Sequence, residues 1–119
     1  ERAGTMAAMM EQKVLGVVEN MAYLATECPH CGEAHRVDVF GVGGGKAVSD
    51  ALTTRLGYDV PVLAQIPLEP GLRAASDEGV PLVAVTPDSP AAQALGGLAD
   101  RLASRSRGLA GRKLNLHVN

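Results

Sequence analysis

Apolar positions recur along this chain with changing periods, and each change marks an element. From Arg2 to Gln12, Ala3, Met6, Ala7 and Met10 fall at i, i+3, i+4 and i+7, which predicts an amphipathic helix. No capping residue precedes it. Val14-Leu15-Gly16-Val17-Val18 is an unbroken apolar run, the pattern of a strand covered on both faces as in a parallel sheet, and it stops at Glu19-Asn20. Between His35 and Phe40 polar and apolar residues alternate, which predicts a half-exposed strand antiparallel to residues 22–26. Beyond Gly43-Gly44-Gly45, the residues Ala47, Val48, Ala51, Leu52 and Leu56 share one helical face, with Gly57 placed as a C-terminal cap. A second buried strand is predicted over Val60 to Ile66, ended by Pro67; Pro61 is tolerable there only near the strand's beginning.

The remainder alternates in the same way. Pro70 to Glu78 predicts a short helix closed by Gly79, and Pro81 to Val85 predicts a strand or an extended connection. Asp88-Ser89-Pro90 opens the last helix, with Ser89 as N-cap and Pro90 in the first turn. Its face is Ala91, Ala94, Leu95, Leu98, Ala99 and Leu102; Gly96 and Gly97 fall off that face and cost about 1 kcal/mol each relative to alanine. From Ser104 the chain turns Arg-, Gly- and Ser-rich, so residues 105–119 are expected to form a basic, flexible tail in which Arg105, Arg107, Arg112 and Lys113 are solvated. Strands alternating with helices predict an α/β fold with a parallel sheet. So few core strands leave exposed edges and a thin core. Residues 1–104 therefore read as the C-terminal half of a larger doubly wound domain, with 22–40 as a small insertion.

Composition narrows the function classes. The 119 residues make one domain's length, and the apolar fraction of 46% is that of a globular protein. Eleven basic against thirteen acidic residues give a net charge of −2, without the basic excess that nucleic-acid binding needs. Aromatic residues make up 3%, too few for a base-stacking platform. No apolar run reaches bilayer length and no signal peptide is evident, so neither a membrane nor a nucleic acid is an expected partner. The chain begins at Glu1, as a processed chain or a fragment would. Its two cysteines, spaced C-x-x-C, fit a reducing, cytoplasmic compartment and a metal or redox role.

Two stretches carry candidate chemistry. GVGGGKAV invites comparison with the phosphate loop G-x-x-x-x-G-K-[ST], but alignment on Gly45-Lys46 puts Phe40 where the first glycine belongs and Ala47 where the magnesium-binding hydroxyl belongs. A simple glycine-rich helix entry, whose amides could attract an anion, fits better. The other stretch is TECPHCGEAH. Cys28-Pro29-His30-Cys31 resembles the tetrapeptide of thiol oxidases of the thioredoxin fold, in which the first cysteine begins a helix. C-P-x-C-G equally resembles the knuckle of rubredoxins and zinc ribbons, where Pro29 fixes one dihedral, Gly32 permits a positive one, and backbone N–H groups point at the sulfurs. A mononuclear zinc site that adds His30 or His35, with His117 as a remote fourth ligand, is a third reading. In the knuckle reading, a two-fold axis beside the loop would bring a second Cys28/Cys31 pair, and four thiolates suit zinc or an iron–sulfur cluster.

VLGVVENMAYLATECPHCGEAHRVDVF, followed by GVGGGKA, QIPLEPGLRAASDEGVPLV and PDSPAA in that order, resembles the Mrp/ApbC-type iron–sulfur cluster carriers, which are deviant P-loop ATPases. The resemblance runs from about Arg2 to Gly111 and corresponds to the C-terminal half of such a protein. It implies an intact protein that binds ATP, dimerises through the cysteine loop, holds a labile [4Fe-4S] cluster between two C-x-x-C pairs and passes it to apo iron–sulfur proteins. It further implies that Cys28 and Cys31 are cluster ligands, and that Asn20 and Pro67 edge the adenine pocket. The family's Walker A loop precedes the matching region, so ATP hydrolysis is expected of the intact protein and not of this stretch alone.

Overall fold

The computed structural model describes the backbone of residues 1–110 and the side chains of residues 1–105. In chain order the elements are α1 (Arg2–Met9), β1 (Val17–Glu19), β2 (Leu24–Glu27), β3 (Ala34–Val37), α2 (Gly44–Leu56), β4 (Val62–Gln65), α3 (Pro70–Glu78), α4 (Leu82–Val85) and α5 (Pro90–Ala110). The fold is α/β. β1 and β4 pair in parallel, Val17 opposite Val62 and Glu19 opposite Gln65, with an irregularity between Val17 and Val18. β2 and β3 form a separate antiparallel hairpin, and a bridge from Leu24 to Leu68 ties it to the chain leaving β4.

α2 packs on both parallel strands and α5 on β4. Close approach fixes one glycine in each layer. A Cβ on Gly16, just before β1, would stand 2.5 Å from Leu63 Cγ and 2.8 Å from the Pro61 carbonyl oxygen; one on Gly4 of α1 would stand 2.6 Å from Leu52 of α2. The backbone of the fully buried Val60 is held by α2: Ser49 Oγ donates to its carbonyl, and its N–H donates to Thr53 Oγ1 at 3.0 Å. Ser49 and Thr53 stand one helical turn apart, on the face that also carries Leu52. α5 serves the sheet with charge as well as bulk. Arg101 donates to the Leu63 carbonyl at 2.6 Å, and Arg105 to that of Leu15 at 3.1 Å. A second cluster joins Ile66, Ala75, Leu82, Ala91 and Ala92, where α3, α4 and the start of α5 meet.

The predicted caps are present. Gly57 and Gly79 close α2 and α3 in the left-handed conformation, and Ser89 Oγ accepts from the Ala92 N–H. Glu69 adds a second N-terminal acceptor for α5, taking the Ala91 N–H at 3.0 Å.

Five expectations change, the first being the half-exposed strand over 35–40, which is β3 (Ala34–Val37) with all four residues exposed. Residues 82–85 are a helical turn and neither strand nor extended connection; Leu82 is buried while Val83 and Val85 are exposed, a one-sided burial that an unbroken apolar run does not reveal. β1 is not covered on both faces, since Leu15 and Val18 are each 42% exposed. α1 ends at Met9 and buries none of its residues, leaving Met6, Met9 and Met10 at the surface. α5 continues to Ala110, past Ser104 where fraying was expected; residues 111–119, with Arg112, Lys113 and His117, lie outside the described residues.

Candidate metal centre

The cysteines lie at the tip of the β2–β3 hairpin, and the register of that hairpin builds the site. Thr26 pairs with His35 and Glu27 with Ala34. Directly paired residues point to one face, and residues two apart on a strand share a face. Cys28, two beyond Thr26, is thereby brought to the face that carries His35. The Cys28 N–H donates to the Glu33 carbonyl at 2.8 Å, and the Gly32 N–H returns to the Cys28 carbonyl at 2.8 Å, so the turn closes tightly. Gly32 adopts a φ of +68°, the conformation expected of the knuckle glycine.

This turn aims its amides at sulfur. The Cys31 side chain, followed by the backbone N–H groups of His30 and Cys31, hydrogen-bonds Cys28 and holds its thiol below the ordinary thiol range, outweighing the opposing pull of desolvation. His30 thus contributes its backbone. Its ring is not part of the ligand group, whereas the His35 ring is: Nε2 lies 4.0 Å from Cys31 Sγ, and the donor atoms of Cys28, Cys31 and His35 all lie within 4.8 Å of one another. Cys28 is half-buried and Cys31 exposed. Arg36, on the other face of β3, stacks on the Tyr23 ring at 4.1 Å and pairs with Asp38 at 3.3 Å, so its charge is engaged elsewhere.

The thiol-oxidase reading requires a helix starting at Cys28. Here Cys31 is followed by Gly32 and then by β3, so the thiols belong to a hairpin turn. Two soft thiolates and an imidazole at the end of an exposed hairpin form a donor set for zinc or iron.

The other two sequence-predicted residues also meet. Hydrogen bonds from Ile66 N–H to the Glu19 carbonyl and from Ala22 N–H to the Ile66 carbonyl carry the chain past β1 alongside the end of β4. Asn20 and Pro67 consequently border one shallow recess of about 210 Å³, with Leu72 and Arg73 of α3 on its rim. Pro67 is fully buried, and Asn20 Oδ1 accepts the Met21 N–H at 2.9 Å. The recess lies at the carboxyl ends of parallel strands, where open α/β sheets bind ligands.

The glycine run proves to be a packing feature. A Cβ on Gly45 would stand 2.7 Å from Glu19 Oε2, and that carboxylate also accepts from Gln65 Nε2 at 2.8 Å. The chain's own carboxylate lies against the start of α2, where an external phosphate would have to sit. Sequence reasoning missed this contact; the signal was an acidic residue ending one strand and glycines opening the next helix.

A family model described as a ParA-type, NUBPL iron-transfer P-loop NTPase matches residues 1–103. The iron-sulfur cluster carrier protein of Mycobacterium tuberculosis is 47% identical over 116 residues, 98% of this chain and 29% of its own length. That of Pyrococcus horikoshii is 40% identical over 110 residues, 92% of this chain and 34% of its own length. The chain thus spans about a third or less of the curated relatives it matches. A solved structure of the nucleotide-binding protein of Archaeoglobus fulgidus in complex with ADP is 37% identical, covering 66% of this chain and 28% of that one with a TM-score of 0.44. The family match over 1–103, joined to the near-complete coverage by carrier proteins, bears out the resemblance seen in the motifs: the chain belongs to the NUBPL-type iron-transfer P-loop NTPases.

Proposed function

We propose that this chain is the cargo-holding portion of an iron–sulfur cluster carrier. Cys28 and Cys31, together with the same pair from a second copy, would hold a [4Fe-4S] cluster across a two-fold axis and surrender it to apo iron–sulfur proteins. The observation that carries this reading is the knuckle: a thiol held low by the Cys31 side chain and two backbone amides, at the tip of an exposed hairpin. Amides aimed at sulfur stabilise bound thiolates, and an exposed site lets an acceptor's cysteines replace the chain's own by ligand exchange. The sequence contains two cysteines, whereas a four-iron cluster takes four, which is why a second copy is invoked. Among the described residues no helix is long and apolar enough to cross a membrane. Exposed reduced thiols suit a reducing compartment such as the cytoplasm.

The test is anaerobic reconstitution with iron and sulfide. Cys28→Ser and Cys31→Ser should each abolish cluster uptake; a full cluster retained by both variants would refute the assignment.

In the intact protein, the recess bordered by Asn20 and Pro67 would take the edge of the ATP base. Asn20→Ala should then weaken nucleotide binding by roughly tenfold, the size of a lost polar contact. Unchanged binding by equilibrium dialysis would remove Asn20 from the pocket.

A further inference from the structure

A bridged cluster would use two sulfurs per chain, yet the hairpin tip presents three soft donors. His35 is placed by the register of β3 on the face that carries Cys28, with its Nε2 4.0 Å from Cys31 Sγ. Tetrahedral bonds of about 2.3 Å to sulfur and 2.1 Å to nitrogen set neighbouring donors about 3.7 Å apart. The trio, mutually within 4.8 Å, needs to close by no more than about 1.1 Å, which side-chain torsions at an exposed turn supply. The three donors come from one chain and meet without any second copy. Four thiolates across an axis give the imidazole no part, so its position is unexplained by the bridged state.

We propose that Cys28, Cys31 and His35 of a single chain hold one zinc-class divalent cation, with a fourth ligand from solvent, in a state that competes with the two-chain cluster. The proposal deepens the carrier reading and rests on the same knuckle. Its chemistry is ligand exchange alone: the ion gives up waters, the two thiols release their protons to solvent and bond to it as thiolates, and one imidazole nitrogen bonds beside them. Both states need the sulfurs of Cys28 and Cys31, so a chain loaded with one ion has no thiolate left to share. An ion with three ligands in one chain would hold that chain as a monomer. Arrival of iron and sulfide would then have to displace both the ion and His35.

The test is a Co²⁺ titration of the reduced, metal-free full chain under anaerobic conditions, with Zn²⁺ as competitor and solution mass recorded at saturation. The expected result is one tetrahedral cobalt per chain on a monomer, displaced stoichiometrically by zinc. His35→Ala should weaken cobalt binding by at least about tenfold, since even outer partners of metal ligands contribute that much. His35→Cys, which restores a soft donor, should recover it. One cobalt per two chains, or unchanged affinity in His35→Ala, would overturn the single-chain site. Iron and sulfide reconstitution of the unsubstituted chain and of the two cysteine variants separates the readings: a cobalt site indifferent to His35 overturns the single-chain site and leaves the carrier assignment intact, whereas cluster uptake by both cysteine variants would defeat the carrier assignment itself.

Discussion

The parallel strands and the hairpin are built from opposite materials. β1 and β4 are held from outside, by α2 and α5 and by hydroxyl and guanidinium groups that satisfy the backbone of Val60, Leu63 and Leu15. The β2–β3 hairpin contains no fully buried residue, all four residues of β3 are exposed, and a bridge from Leu24 to Leu68 ties it to the chain leaving β4. Stability belongs to the first region and chemistry to the second. In the proposed carrier role exposure lets an acceptor reach the site, and a turn of six residues, 28–33, can hold its geometry by local hydrogen bonds alone. The difference teaches that the site can be altered without touching the core, and the core without touching the site.

The largest effect should come from the cysteines. Cys28→Ser or Cys31→Ser should lose cluster binding entirely, while unfolding in urea shifts by less than about 0.5 kcal/mol, the usual range for surface substitutions. A large loss of stability would mean that the hairpin and the core are coupled. Gly16→Val tests the converse. Its new side chain would meet Leu63 and the Pro61 backbone, and overpacking of this kind costs about 1–3 kcal/mol. Metal bound per folded chain should be unchanged, which equilibrium unfolding and metal analysis on one sample would check. The smallest effect concerns reactivity. Because hydrogen bonds from the Cys31 side chain and two backbone amides favour its thiolate, Cys28 should alkylate at lower pH than an ordinary thiol. The reactive form is fully present above the lowered value and lost as pH falls through it. Mass-mapped alkylation across pH would show that displacement, and a curve at the usual thiol position would remove the thiolate-stabilising turn from the account.

What the sequence revealed and what it hid divide along the same line. Local chemistry was legible: C-P-x-C-G foretold a turn with Gly32 at positive φ and amides aimed at sulfur, and Gly57, Gly79 and Ser89 marked helix ends correctly. The meeting of Asn20 and Pro67 was also legible, because both end strands of one parallel pair. Non-local features were not. Leu82 to Val85 carries an apolar run too short to distinguish a helical turn from a strand, and only packing of Leu82 against Ala75 and Ala91 decides it. Met6 and Met10 have helical spacing, but spacing alone does not say whether a face is covered, and both are exposed. Glu19 against Gly45 is a contact between residues far apart in the chain, which periodicity does not encode. His35 was within reach on spacing; the hairpin register then placed it beside the thiols.

The central claim is that one chain supplies half of the thiolates and a twin supplies the rest. Anaerobic iron and sulfide quantitation on the reconstituted chain, with solution mass measured on the same sample, tests it most directly. The account predicts about four irons and four sulfides per pair of chains at dimer mass. A full cluster on a monomer, or a dimer that takes up no iron, would contradict it.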